Sequence, residues 1–240
     1  MEVFRDDARK ILLLTPVPFE GELQCITCSI KPPIEPKSLF QWKVLKCRML
    51  LFTEMRIIAS PSAGFENEIW VVMSKNYYET GEIHSHLNRV GLTVEKRIQT
   101  TKSIYEACLR YTMIARIAPL WNQMASFLVC GRNFLLQREP LLAVALDVFM
   151  IGKEMSIAIW PHRIHMYGVP LQDLLEEKEE MINILPEIIV NEGRWVHVLP
   201  SLKKAQVLSV SKRIPKHCRF LSYKQLKRHW KNNVRALINL

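Results

Sequence analysis

Short apolar runs of strand length are interleaved along this chain with stretches whose apolar residues recur every three to four positions, and the two kinds do not alternate strictly. Strict β-α alternation would point to a doubly wound parallel sheet. Its absence points to an α+β fold, with a mixed or mostly antiparallel sheet and packed helices. Proline and glycine mark the joints. Lys10 to Thr15 and Leu23 to Ile30 read as strands, and the link PVPFEGE between them suits a hairpin or a sheet edge. After KPPIEPK, Ser38 can cap a helix whose stripe is Leu39, Trp42, Leu45, Met49 and Phe52, closed by SPSAGFEN. Ile69 to Met73 is a short buried strand, Tyr77 to Val90 a second helix ended by Gly91, and Leu92 to Ile98 another strand.

Thr101 opens a third helix with Ile104, Ala107, Cys108, Tyr111, Ala115 and Ala118 on one side, and Pro119 stops it. Gly152 and Lys153 separate two strand-like runs, Leu141 to Ile151 and Met155 to Trp160, as a hairpin would. Pro170 begins an acidic helix, VPLQDLLEEKEEMINIL, and strands are expected at Arg194 to Leu199 and Ala205 to Ser211. A chain of 240 residues that is 49% hydrophobic can bury a substantial core, so a single globular domain over residues 1–240 is expected. No apolar run reaches the roughly 18 residues of a membrane span. Asp6 and Asp7 stand where a signal peptide needs positive and then apolar residues, so an intracellular protein, nuclear or cytoplasmic and not secreted, is expected.

Charge is segregated. From Gly193 to Leu240 there are 12 Lys/Arg and no Asp or Glu, whereas residues 1–192 carry 21 basic and 23 acidic groups. The whole positive excess therefore lies in the last fifth of the chain. Just upstream, Asp173 to Glu192 holds seven carboxylates against Lys178 alone, and the two blocks can partly neutralise each other. Within the basic block, Ser222 and Gln225 have capping-box spacing. Tyr223, Leu226, Trp230, Val234 and Leu237 then fall in one helical stripe that can dock on the body. Lys224, Lys227, Arg228, Lys231 and Arg235 fall on the adjoining flank, preceded by Lys212, Arg213, Lys216 and Arg219. Such a flank suits an acidic protein partner, phosphate backbones, or water alone.

Other chemistry finds little support. Glycines fall singly, at 21, 64, 81, 91, 131, 152, 168 and 193, so neither a phosphate-binding loop nor a dinucleotide fingerprint is present. Ser201 and Lys204, and Ser209 and Lys212, match a hydrolase spacing that arises easily by chance. The six cysteines are scattered and read as reduced; Cys25 and Cys28 sit in a strand, where positions three apart face opposite ways. No metal site or cofactor is expected: His84 and His86 point apart on a helix, and His162 and His165 read as surface or capping residues. Asp147 is expected to face outward from its strand. Trp70, Trp121 and Trp230 read as core, with a partner anchor as the alternative.

Five stretches, NEIWVVM (67–73), ARIAPLWN (115–122), GRNFL (131–135), VLPSLK (198–203) and IPKHCRFLSYKQLKRHW (214–230), follow one another in an order and spacing that resemble one family. It is the uncharacterised domain-of-unknown-function family typified by the vertebrate chromosome-eighteen open-reading-frame protein, and the resemblance runs from about Lys43 onward. It implies no activity, ligand or catalytic residue. The expectation is a non-catalytic interaction or scaffold module whose basic C-terminal surface engages an acidic partner, with non-sequence-specific nucleic-acid binding as the alternative and an enzyme with a dispersed site as the weaker one. No membrane partner is expected.

Overall fold

The computed structural model describes residues 2–5, 10–30, 39–62, 68–131, 140–152, 154–175, 187–199, 201–211, 213–214, 218 and 220–225. In chain order come β1 (Glu2–Arg5), β2 (Ile11–Pro16), β3 (Leu23–Ile30), α1 (Leu39–Thr53), β4 (Ile57–Pro61) and β5 (Glu68–Ser74). They are followed by α2 (Lys75–Glu79), α3 (Glu82–Val90), β6 (Leu92–Ile98) and α4 (Lys102–Ile117). Then come β7 (Trp121–Met124), β8 (Phe127–Cys130), β9 (Leu141–Ile151), β10 (Glu154–His165), α5 (Leu171–Leu175), β11 (Glu187–Val198) and β12 (Lys203–Ser211). The fold is α+β and every registered strand pair is antiparallel. The chain divides into two compact units: one draws on Arg9–Pro119 and Leu146–Trp160, the other on Met1–Ala8, Leu120–Ala145 and Pro161–Asn239.

In the first unit the four-stranded sheet has the order β4-β5-β3-β6. With α1 between β3 and β4, and α2 and α3 between β5 and β6, this is a split β-α-β arrangement of the ferredoxin-like kind. Strand alternation explains the layering, because successive residues face opposite sides. Ile26, Cys28 and Ile30 of β3, with Ile69, Val71 and Met73 of β5, pack against Cys47, Leu50 and Leu51 of α1 and Ile83, Leu87 and Val90 of α3. Cys25 and Val72 point the other way and meet Cys108 of α4.

A sheet edge exposes unpaired backbone groups, and here α4 covers one. Thr112 Oγ1 accepts from Ala59 N at 2.9 Å and donates to Ala59 O at 3.3 Å, while Arg116 Nη2 donates to Ile57 O at 3.2 Å and Met55 O at 3.0 Å. The outer edge of β4 is thereby satisfied by side chains. Thr101 caps α4 as expected, its hydroxyl accepting from Ile104 N.

Four local expectations need correction or narrowing. Of the two options for the link after β2, the hairpin does not form: β2 pairs with β10, from Ile11 opposite Ile159 to Pro16 opposite Glu154, and the partners of β3 are β5 and β6. The inner face of α1 carries Val44, Cys47, Leu50 and Leu51, while Leu45, Met49 and Phe52 of the expected stripe are exposed. The helix is apolar on every side, so periodicity could not choose between its faces. Tyr77 to Val90 is two helices, broken at Gly81, whose φ of +75° is left-handed and favours glycine. Lastly, β4 begins at Ile57, ahead of the SPSAGFEN stretch expected to close the first helix, and the β7–β8 hairpin forms where no element was expected.

In the second unit β7, β8 and the start of β9 pair in succession, and β1 pairs with the end of β10. Met124, Val129, Leu141, Ala143 and Ile164 form its buried cluster. β11 and β12 make a two-stranded sheet whose register shifts between Ile189 and Arg194. Gly193 sits in that bulge at φ +41°, and a Cβ there would fall 2.2 Å from the Gln206 amide, which instead donates to Gly193 O at 3.1 Å.

Candidate interaction surface

Of the basic residues expected to form a surface, Arg213 and Lys224 are described, and both are exposed. Lys212, Lys216, Arg219, Lys227, Arg228, Lys231 and Arg235 lie outside the described residues, as do Trp230 and the acidic run Glu176–Glu180. The Ser222 half of the capping box forms, Ser222 Oγ accepting from Gln225 N at 3.2 Å, while Gln225 Oε1 accepts from Leu221 N at 2.9 Å, one residue before the cap. A helical turn starts at Tyr223. Upstream, the Arg213 N–H donates to Ser211 Oγ at 3.1 Å, and that hydroxyl donates to Arg213 O at 2.7 Å.

The described part of the basic block adds something that the sequence reading did not single out. On β11 and β12, Trp195 stands opposite Gln206 and His197 opposite Lys204, so these four share one face. Trp195 is 67% exposed, although an indole is among the most valuable surfaces to bury. Beside it opens a cavity of about 490 Å³, whose lining includes Met166, Val169, Arg194, Trp195, His197 and Leu202. His197 Nδ1 lies 2.9 Å from Leu202 O; a carbonyl only accepts, so Nδ1 carries the proton and the ring is fixed. Arg194 donates through Nη1 to the backbone oxygen of Asp173, so a neutral carbonyl holds this cation. The available signal was a Trp within the run Arg194–Leu199 read as a strand; the strand itself begins earlier, at Glu187.

A second polar constellation lies in the first unit. Glu54, only 4% exposed, follows α1. Its Oε1 accepts from Arg56 N at 2.8 Å and Nε at 3.0 Å, and its Oε2 accepts from Arg56 Nη2 at 3.0 Å and Tyr77 OH at 2.7 Å. His86 Nε2 is 3.2 Å from the same Oε2, and the Arg56 guanidinium lies 3.9 Å over the Tyr77 ring. Hydrogen bonds from the Arg56 side chain hold the Glu54 carboxyl down at about 2, against the opposing effect of burial, with the Arg56 N–H and Tyr77 OH helping. Burial, then the bond to Glu54, pushes the Tyr77 phenol up to about 12. A carboxylate this acidic and this fully bonded is a weak base at neutral pH; it ties the turn between α1 and β4 to α2 and α3.

The remaining singled-out residues are placed as follows. Cys25 and Cys28 do face opposite sides of β3, and burial pushes both thiols up to about 12, far from the lowered values of reactive cysteines. Asp147 faces outward and lies 3.8 Å from Arg110. Ser201 Oγ donates to Val198 O and accepts from Lys203 N, a turn arrangement between β11 and β12. Ser209 Oγ donates to Glu187 Oε1 at 2.6 Å. Trp70 packs against the sheet, partly buried. Among the described residues no three His, Cys, Asp or Glu side chains converge as a metal would require. No described helix is long and apolar enough to cross a membrane.

Fold and surface together define an α+β protein with a split β-α-β core and a basic antiparallel hairpin that carries an exposed indole. The chain belongs to the DUF4708 family: the model of this domain of unknown function matches residues 11–234.

Proposed function

We propose that this protein is a non-catalytic interaction module, acting inside the cell in the nucleus or cytoplasm, whose basic C-terminal surface engages an acidic protein partner. The observation that carries this reading is the segregation of charge, 12 Lys/Arg without one Asp or Glu from Gly193 to Leu240. Opposite potentials across an interface steer association and select partners. Support comes from the exposure of Lys203, Lys204, Arg213 and Lys224. All six cysteines are free thiols, in keeping with a reducing compartment.

A second reading, nucleic-acid binding without sequence preference, draws on the exposed Trp195 ring on the same face as Lys204, since bases stack on such rings while cations hold the phosphates. The two separate by anisotropy titration of a labelled glutamate-rich peptide, single- and double-stranded DNA and RNA, at two salt concentrations. The proposed reading expects the peptide to bind, more weakly at higher salt, and to be released when Lys224, Arg228, Lys231 and Arg235 are all changed to Glu. Salt-sensitive binding of DNA or RNA without the peptide transfers the surface to the second reading. Binding of neither probe removes both.

A further inference from the structure

We propose that the cavity beside Trp195 seats one large apolar side chain of the acidic partner segment, so that the partner is an acidic peptide with an aromatic or aliphatic anchor. This rests on the reading above and names its partner more closely. Charge alone would be served by a flat basic strand, and here the strand is neither flat nor only basic. The bulge at Gly193 interrupts the register of β11 just before Trp195, the kind of device that re-aims a side chain next to a site. The indole it leaves in water lines a hollow of about 490 Å³, within the range of pockets that bury a ligand.

The walls decide what enters. Met166, Val169, Leu199 and Leu202 are aliphatic, so they complement the side of a Phe, Leu or Trp side chain better than the polar edge of a base. A base stacked on a platform would need the ring face and a phosphate track, not an aliphatic hollow. Two cations stand near it: Arg194 lines the cavity, and Lys204 is the cross-strand neighbour of His197 on the face that carries Trp195. Among the described lining residues Asp173 is the one that carries a carboxylate, and Arg194 meets its backbone oxygen. Trp and Arg, which both line this cavity, are among the residues that most often carry the binding energy of protein interfaces.

The test uses the full chain and two labelled glutamate-rich peptides that differ only at the centre, Phe in one and Ala in the other. The Phe peptide is expected to bind about tenfold more tightly, which is about 1.4 kcal/mol. Trp195→Ala, which removes one wall, and Val169→Trp, which fills the hollow from a half-exposed position, should each bring the two peptides to equal affinity. Lys203→Glu with Lys204→Glu should weaken both peptides alike. Circular dichroism identifies any variant that fails to fold, and the other cavity variant then carries the comparison. Equal binding of the two peptides to the unaltered protein overturns the seat while leaving the basic surface standing. If neither peptide binds, both proposals fall. Displacement of the Phe peptide by single-stranded DNA, lost in Trp195→Ala, would make the indole a stacking platform and overturn the inference.

Discussion

The sheet β4-β5-β3-β6 and the sheet β11-β12 are both antiparallel, yet they treat apolar side chains in opposite ways. The first covers both faces of its central strands β3 and β5: Ile26, Ile69 and Val71 lie under α1 and α3, Cys25 and Val72 under α4, and the β4 edge meets Thr112 and Arg116. The second leaves Ile189, Trp195 and Leu208 mostly in water. Buried apolar area stabilises a fold by roughly 25 cal/mol per Å², and the same area left exposed becomes available to a partner. Apolar burial is therefore concentrated in the four-stranded sheet, and the area proposed for binding in the hairpin.

Leu50→Ala tests this most severely. Leu50 is fully buried between α1 and the sheet, so truncation leaves a cavity and should cost about 2–5 kcal/mol in urea denaturation. Hydrogen exchange should accelerate in β3 and β5 while the amides of β11 and β12 keep their rates. Equal acceleration in both sheets would break the comparison.

Glu54→Gln comes next, at about 2 kcal/mol, because it removes a buried charge from Arg56 and Tyr77 and leaves their donors poorly matched. The pH dependence has a definite sign. The folded carboxyl titrates at about 2 and the unfolded one near 4.5, so its contribution is fully present above about 4.5 and is lost as pH falls through about 2. Denaturation midpoints measured from neutral pH downward should decline over that window in the native protein, and the variant should lack that part of the decline. Parallel curves would show that Glu54 is not the group responsible.

Thr112→Val keeps the shape of the side chain and removes only the hydroxyl, so its effect isolates the sealing of the β4 edge. About 1–2 kcal/mol is expected, with faster exchange of the Ala59 amide, whose partner is lost. An unchanged Ala59 amide would mean that packing of α4, not its hydroxyl, protects the edge.

The parts of this contrast that could be read from the sequence are those governed by local rules. β3 and β5 follow from short apolar runs between breakers, and Thr101, Gly91 and Ser222 are caps that form where their sequence placed them. What escaped depends on distant partners. α1 offers two apolar stripes, and only packing against β3 and β5 decides that Leu50 and Leu51 turn inward while Leu45 and Met49 do not. The Glu54 cluster draws on the turn between α1 and β4 and on α2 and α3, so no single stretch announces it. Trp195 was visible as a residue, but its exposure is a property of the bulge and of what fails to cover it.

Trp195→Ala should give the smallest change in stability, and its smallness is what sharpens the comparison. Removing an aromatic ring from a packed core costs about 3–5 kcal/mol. A ring already 67% in water loses little on truncation, and surface substitutions usually stay within about 0.5 kcal/mol. The urea midpoint should therefore match that of the native protein, and exchange in β11 and β12 should be unaltered. A loss of several kcal/mol would show that the indole supports the hairpin from within, and the division between a stabilising sheet and a binding sheet would collapse. An unchanged midpoint, combined with loss of preference for the Phe-centred peptide, would assign the exposed area of this one residue to recognition: an interior position could not lose its ring without unfolding cost, and a passive surface position could not lose it with an effect on affinity.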